Sequence, residues 1–206
     1  MKYVKYLTSS SLVGMIVATS FAAGLNVYAT VLTLGFLGRG HIVELPPALQ
    51  LLQSWWVIGA SAVLFLIEFF GDKIPVFDLI WNALHTFVRV PIAALLSYLA
   101  ADPLSPEARM VCALLGGLIA LAAHGGKTAV RAAVTPSPEP LSNIAISLGE
   151  DMGSIALTWF ATRHPYAAGA LALCGVIAAL LLIRFVIRAL RALFSGADHA
   201  IEGKPT

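Results

Sequence analysis

Carboxylates, imidazoles and cationic side chains recur in this chain inside stretches that are otherwise apolar, at spacings that suit ion or proton handling. Glu68 and Asp72 stand four residues apart, so on a helix they share a face. A carboxylate pair of this kind binds a cation or exchanges protons, and oxygen-rich sites suit hard cations such as magnesium, calcium or manganese. Asp78, Asn82, His85 and Arg89 follow at intervals of four, three and four, which draws one polar stripe along a helix. His124, Lys127 and Arg131 draw a second, and Asn143, Ser147, Glu150, Ser154 and Thr158 a third, with Asp151 beside Glu150. Burial and like charge both raise a carboxyl pKa, so one of the adjacent pair Glu150 and Asp151 is expected to be protonated or neutralised by Lys127, Arg131 or a bound cation. Asn26 joins Thr19, Thr30 and Thr33 near one face of an early helix. His85 and His124 are candidate proton relays, because imidazole titrates near neutral pH.

The elements that must position these groups are hydrophobic. The chain is 59% hydrophobic and 12% charged, with a mean hydropathy of +0.86, where soluble domains carry roughly 25% charged residues. This is the composition of a polytopic membrane protein, in which an ionisable group costs ~2.5–3.5 kcal/mol at mid-helix and rarely persists without a partner or a task. The net charge of +2 is too small to argue for a nucleic-acid partner. Cys112 and Cys174 both lie in apolar runs and read as packing residues, not as a disulfide framework.

About 20 apolar residues cross a bilayer core, and runs near 9–36, 54–71, 79–101, 109–132, 143–161 and 166–188 predict six transmembrane helices in an all-α fold. They form a single transmembrane domain over 1–194, with halves at about 9–101 and 109–188 and a short, polar, mobile cytoplasmic tail over 195–206. Ala23-Gly24-Leu25-Asn26 is the weak point of the first run, since Gly loosens a helix and Asn needs a partner. Val27-Tyr28-Ala29 resembles a signal-peptidase site, but the apolar character continues to Leu37, so a retained helix is favoured over a cleaved leader. Trp55 and Trp56 open the second run as interfacial rings would. Pro75 prevents one helix from running through Asp72 and Lys73, and Thr135 to Leu141, with prolines at 136, 138 and 140, predicts a stiff extended connection. The sixth run is bare of polar groups between Gly169 and Leu182, so it reads as a lipid-facing or subunit-facing wall. Ala167, Ala168, Gly169, Ala170 and Ala172 would allow a homodimer through close helix contact.

With six crossings and both termini cytoplasmic, nine basic residues fall inside (Lys2, Lys5, Lys73, Lys127, Arg131, Arg184, Arg188, Arg191 and Lys204). Three fall outside (Arg39, Arg109 and Arg163), and Arg89 lies within the third run. That bias is the one the positive-inside rule expects of a multi-pass protein of a bacterial inner membrane. Residues 19–31 can be laid on residues 121–133, and Glu68-Phe-Phe-Gly-Asp-Lys on Gly149-Glu-Asp-Met-Gly-Ser. A duplication of three helices would insert with opposite topology, giving a 3+3 inverted repeat with a site where the halves meet.

Gly24-Leu-Asn-Val-Tyr-Ala-Thr, Asp72-Lys-Ile-Pro with Asp78, Trp81, His85-Thr and Arg89, and Ser137-Pro-Glu-Pro-Leu-Ser-Asn with Glu150-Asp151 together resemble a bacterial integral-membrane family, domain of unknown function 4126. The likeness covers roughly Ala18 to Arg188 and implies an integral membrane protein without supplying an activity. Glu68-Phe-Phe-Gly-Asp-Lys-Ile is also similar, more loosely, to the repeated Glu-x-Gly-Asp motif of cation/proton exchangers. It carries one extra residue between Glu and Gly and lacks the final hydroxyl, and this likeness implies cations only as a hint.

The expectation is a small-ion transporter, cation or proton coupled, whose site is built from Asn26, Glu68, Asp72, Asp78, His85, Arg89, His124, Lys127, Glu150 and Asp151. Glu68 and Glu150 would be its central carboxylates, Asp151 would support them, and Lys127 and Arg89 would neutralise them when empty. If a metal ion binds, Glu68, Asp72, Glu150 and Asp151 would hold it, as cargo and not as a cofactor. The partners expected are the bilayer and a small ion. Three alternatives remain: a scaffold whose charged stripes are structural seams, an anion or lipid-headgroup carrier using Arg89, Lys127 and Arg131, and an intramembrane metal enzyme, for which no compact ligand motif such as His-Glu-x-x-His is present.

Overall fold

The computed structural model describes the backbone of residues 9–71, 75–134 and 140–202, and the side chains within 11–71, 84–131 and 144–192. Every element among the described residues is helical: α1 (Ser9–Leu25), α2 (Val27–Arg39), a 3-10 helix (Pro47–Gln53), α3 (Trp55–Gly71), α4 (Pro75–Ala100), α5 (Pro106–Val134), α6 (Pro140–Arg163) and α7 (Pro165–Glu202). Pro75, Pro106, Pro140 and Pro165 each stand at the first position of a helix, where the missing N–H would have had no partner and the fixed φ suits the first turn.

The first predicted helix is broken at Asn26, between Gly24-Leu25 and Val27. The proposed counterpart of this position, Thr128, lies within the uninterrupted helix α5, so the two halves differ where the break occurs. Two expectations are corrected. Pro140 and Leu141 are not extended but open α6, because a proline is harmless at a helix start; residues 135–139 lie outside the described residues. The tail expected from 195 is helical as far as Glu202, since nothing between Arg191 and Glu202 is a proline, and the lone Gly196 costs only ~1 kcal/mol.

α5 over Pro106–Arg131 and α7 over Pro165–Ala192 are long and apolar enough to cross a membrane. The 3-10 helix and α3, bent by 65° at their junction, make a third span if they are joined. This fits a membrane protein. α1 is central, packed against α4, α5, α6 and α7, and buries Leu12, Met15, Ile16, Ala18 and Ala22. Close approach is set by glycine: a Cβ on Gly24 would meet the backbone of Ala120 in α5, and Gly169 of α7 lies directly on Gly14 of α1. Ala168, Gly169 and Ala172 are therefore occupied by a contact within the chain, while Ala167 and Ala170 remain exposed. The outer face of α7, with Leu171, Ile177, Leu181 and Phe185, is exposed and apolar. α3 lies against α2 and buries only Ile58, Ser61, Glu68 and Gly71.

Candidate functional site

Described members of the polar stripes come together inside the bundle. His124, Lys127 and Arg131 follow one another along the same face of α5, and each is nearly inaccessible. Glu68 from the end of α3 and Arg89 from the middle of α4 are both 0% exposed, and the Arg89 guanidinium donates to Glu68 Oε1. Arg89 Nη1 is 2.7 Å from His124 Nδ1. A guanidinium has only donors, so Nδ1 must accept, and His124 is a neutral imidazole with its proton on Nε2. Lys127 Nζ lies between two carboxylates, 3.7 Å from Glu68 Oε1 and 3.1 Å from Glu150 Oε2. Arg131 Nη2 reaches the same Glu150 oxygen at 2.8 Å. The result is a continuous chain, Arg131–Glu150–Lys127–Glu68–Arg89–His124, across α3, α4, α5 and α6.

The break between α1 and α2 faces this chain, and the reason is local. Asn26 is extended (φ −149°, ψ 106°), and its side-chain oxygen accepts the Ala29 N–H at 2.9 Å, capping α2. Its amide donates to Asp151 Oδ1 at 2.8 Å. Ser154 Oγ lies 3.0 Å from the carbonyls of Ala22 and Asn26 and 3.0 Å from Thr30 Oγ1, so α6 supplies polar cover for the turn that the break loosens. Lys127 Nζ approaches the Leu25 carbonyl, the last of α1, at 3.5 Å. A cation thus stands at the negative end of α1 and an anion near the positive end of α2, each favoured by the helix dipole by ~0.3–1 kcal/mol. Helix breaks of this kind persist at membrane depth where protein groups satisfy the freed backbone.

Of the residues expected at the site, Asn26, Glu68, Arg89, His124, Lys127, Glu150 and Asp151 come together. His85 is buried one turn before Arg89 and pairs through Nε2 with the Tyr28 hydroxyl at 3.0 Å. Asp72 and Lys73 lie outside the described residues, as do the side chains of Asp78, Asn82 and Asn143. The two α6 carboxylates exchange their expected places. Asp151, not Glu150, continues the buried face of Ser147, Ser154 and Thr158, while Glu150 sits at the rim with 11% of its side chain exposed. Among the described residues no three His, Cys, Asp or Glu side chains are grouped as a metal site, and the described members of the expected metal set, Glu68, Glu150 and Asp151, are held by cations and an amide.

Sequence reasoning gave Tyr28 no role. The signal was present, since a tyrosine inside an apolar run must find a partner for its hydroxyl. The Ser20–Ser97 pair, 2.9 Å apart, and the role of the Leu25 carbonyl were likewise missed. No curated protein and no solved structure matches the chain. The model of a domain of unknown function, DUF4126, matches residues 13–185, and the chain belongs to that family.

Proposed function

We propose that this protein is a proton-coupled carrier of small ions in a bacterial inner membrane, and that its working part is the ion-pair chain centred on Lys127. In this reading six passes cross the bilayer, α1 with α2 as one broken pass and α3 to α7 as the others, with both termini cytoplasmic and the halves inserted in opposite senses. The described polar residues of α4 and α6, among them His85, Arg89, Ser147, Asp151, Ser154 and Thr158, are buried against protein, as polar groups within a span must be. The observation that carries the proposal is the position of Lys127 Nζ between Glu68, at 3.7 Å, and Glu150, at 3.1 Å. One ammonium shared by an enclosed carboxylate and one at the rim can move between them, and a change of charge at either shifts it toward the other. A bistable ion pair at a helix break is a plan suited to carriers.

The test is flux into proteoliposomes loaded with a pH-sensitive dye. The wild type is expected to move protons when an ion gradient is imposed, and Lys127→Gln is expected to lose that flux while still inserting and folding. Normal flux in Lys127→Gln would remove the shared lysine from the mechanism.

A second reading, a non-catalytic scaffold, is favoured by the two cationic partners that Glu68 and Glu150 each already have in the same chain. If the pairs are only a seam, exchanging Glu68→Arg with Arg89→Glu should restore the stability lost by either change alone, and no ion should move.

A further inference from the structure

We infer that the outer face of α7 is a binding site for an anionic phospholipid. Arg184, Arg188 and Arg191 take the headgroup phosphate, and Leu173, Ile177 and Leu180 below them take an acyl chain. This site is separate from the Lys127 chain and does not depend on ion movement there.

The six residues make one stripe. They follow one another at intervals of four, three, four, four and three, so on α7 they share a single face. The opposite face is the packed one: Ala168, Ala172 and Ala179 are buried, and Gly175 lies on the Phe21 ring of α1. Leu173, Ile177 and Leu180 are exposed, and so are the three arginines. The stripe therefore points away from the bundle along its whole length, and it changes from apolar to basic at one point, Arg184.

That point falls where a bilayer changes in the same way. No Asp, Glu, Lys, Arg or His stands between Tyr166 and Arg184, and the exposed Tyr166 opens this apolar length as an interfacial ring does. At a rise of about 1.5 Å per residue, Arg184, Arg188 and Arg191 stand about 27, 33 and 38 Å beyond Tyr166 along the helix. A hydrocarbon core is ~30 Å thick, and ~40–45 Å with its headgroups. Arg184 thus meets the far edge of the core, and Arg188 and Arg191 enter the phosphate layer.

Charge and shape choose the occupant. A guanidinium offers phosphate two parallel donors, and side chains three or four residues apart on a helix are near enough to hold one phosphate together. Among the described residues, the ion pairs are made by Arg89, Arg109, Lys127 and Arg131. The acidic residues of α7, Asp198 and Glu202, follow Arg191 by seven and eleven residues, beyond the spacing at which helix side chains meet. A second copy of the chain fits this face poorly. A symmetric partner crossing the membrane in the same sense would set each arginine against its own copy, and like charges in contact are costly. A lipid with a negative headgroup and an apolar tail matches both parts of the stripe.

The experiment titrates the purified full chain, in a non-ionic detergent, with phosphatidylglycerol or phosphatidylcholine and counts bound lipids by native mass spectrometry. The wild type is expected to retain phosphatidylglycerol in clear preference to phosphatidylcholine. Replacing Arg184, Arg188 and Arg191 together by Gln should weaken phosphatidylglycerol binding roughly 100-fold, and each single change about fivefold, with the helical circular dichroism unchanged. Arg163→Gln, an exposed arginine before the other end of α7, should leave binding as it was. Equal retention of the two lipids, full binding by the folded triple variant, or an equal loss in Arg163→Gln would each overturn the assignment. Displacement of phosphatidylglycerol by inorganic phosphate or by a polyglutamate peptide as readily as by excess lipid would assign the arginines to a soluble anion or an acidic protein instead. Lipid-free dimers that disappear in the triple variant would give the stripe to a second copy.

Discussion

The two carboxylates that share Lys127 make a natural comparison. Glu68 and Arg89 are 0% exposed and are backed by His124, which Arg89 fixes in one tautomer. Glu150 reaches the same lysine from the other side, but at the rim and beside two glycines that leave room around it. The chemistry is the same, and the surroundings are not. A buried pair that loses one member strands the other where no water can reach it, and this costs ~3–5 kcal/mol. A pair at the rim can open, because the released carboxylate has somewhere to go. The enclosed pair therefore ties α3 to α4, while the rim pair has open space beside it.

Substitutions can break this comparison or sharpen it. Arg89→Leu should be the most damaging, because it leaves Glu68 buried with Lys127 as its remaining ion-pair partner; a loss of ~3–5 kcal/mol is expected, read as a large drop in the thermal midpoint of the purified protein. A loss no greater than that of the rim variant would erase the distinction between the two pairs. Glu150→Gln should cost less, about 1.5–3 kcal/mol, the range for hydrogen bonds to charged groups, by the same melt. Asn26→Ala removes the α2 cap and the amide that holds Asp151. Its cost of ~0.5–2 kcal/mol should appear as faster hydrogen exchange at the amides of Ala29 and its neighbours, and unchanged exchange there would mean that the break does not depend on its cap. Tyr28→Phe should have the smallest effect, ~0.5–1.5 kcal/mol for the lost bond to His85; it is best read from the His85 imidazole signals in nuclear magnetic resonance, which should shift while those of His124 stay in place.

Much of the architecture was legible in the chain. Apolar runs marked the helices to within a few residues, except that α7 extends well beyond its apolar part. Prolines at 75, 106, 140 and 165 open four of the helices. The Gly24-Leu25-Asn26 weak point became a real break because glycine lowers the cost of leaving the helix, while asparagine can cap the next one. Among the described residues only α5, α7 and, if joined, the 3-10 helix with α3 are long and apolar enough to cross a membrane; in α4 and α6 the buried polar residues find their partners in other helices.

The site was legible as a set of stripes but not as a set of pairs. Period alone put Glu68, Arg89, His124, Lys127 and Arg131 on helix faces, and their cost in lipid implied partners. It could not say that Glu68 meets Arg89 across 21 residues, that Arg89 meets His124 across 35, or that Asn26 meets Asp151 across 125. The exchange of Glu150 and Asp151 shows why. Two polar residues side by side on a helix point in different directions, and both directions fit a polar stripe of that width. Only the rotation of α6 about its own axis decides which enters the core, and that rotation is set by Ser154 and Thr30 packed at the α1–α2 break. Composition and spacing determined that the chain is helical, apolar and charged at its centre; the packing of helices distant in sequence decided which charge is enclosed and which lies at the rim.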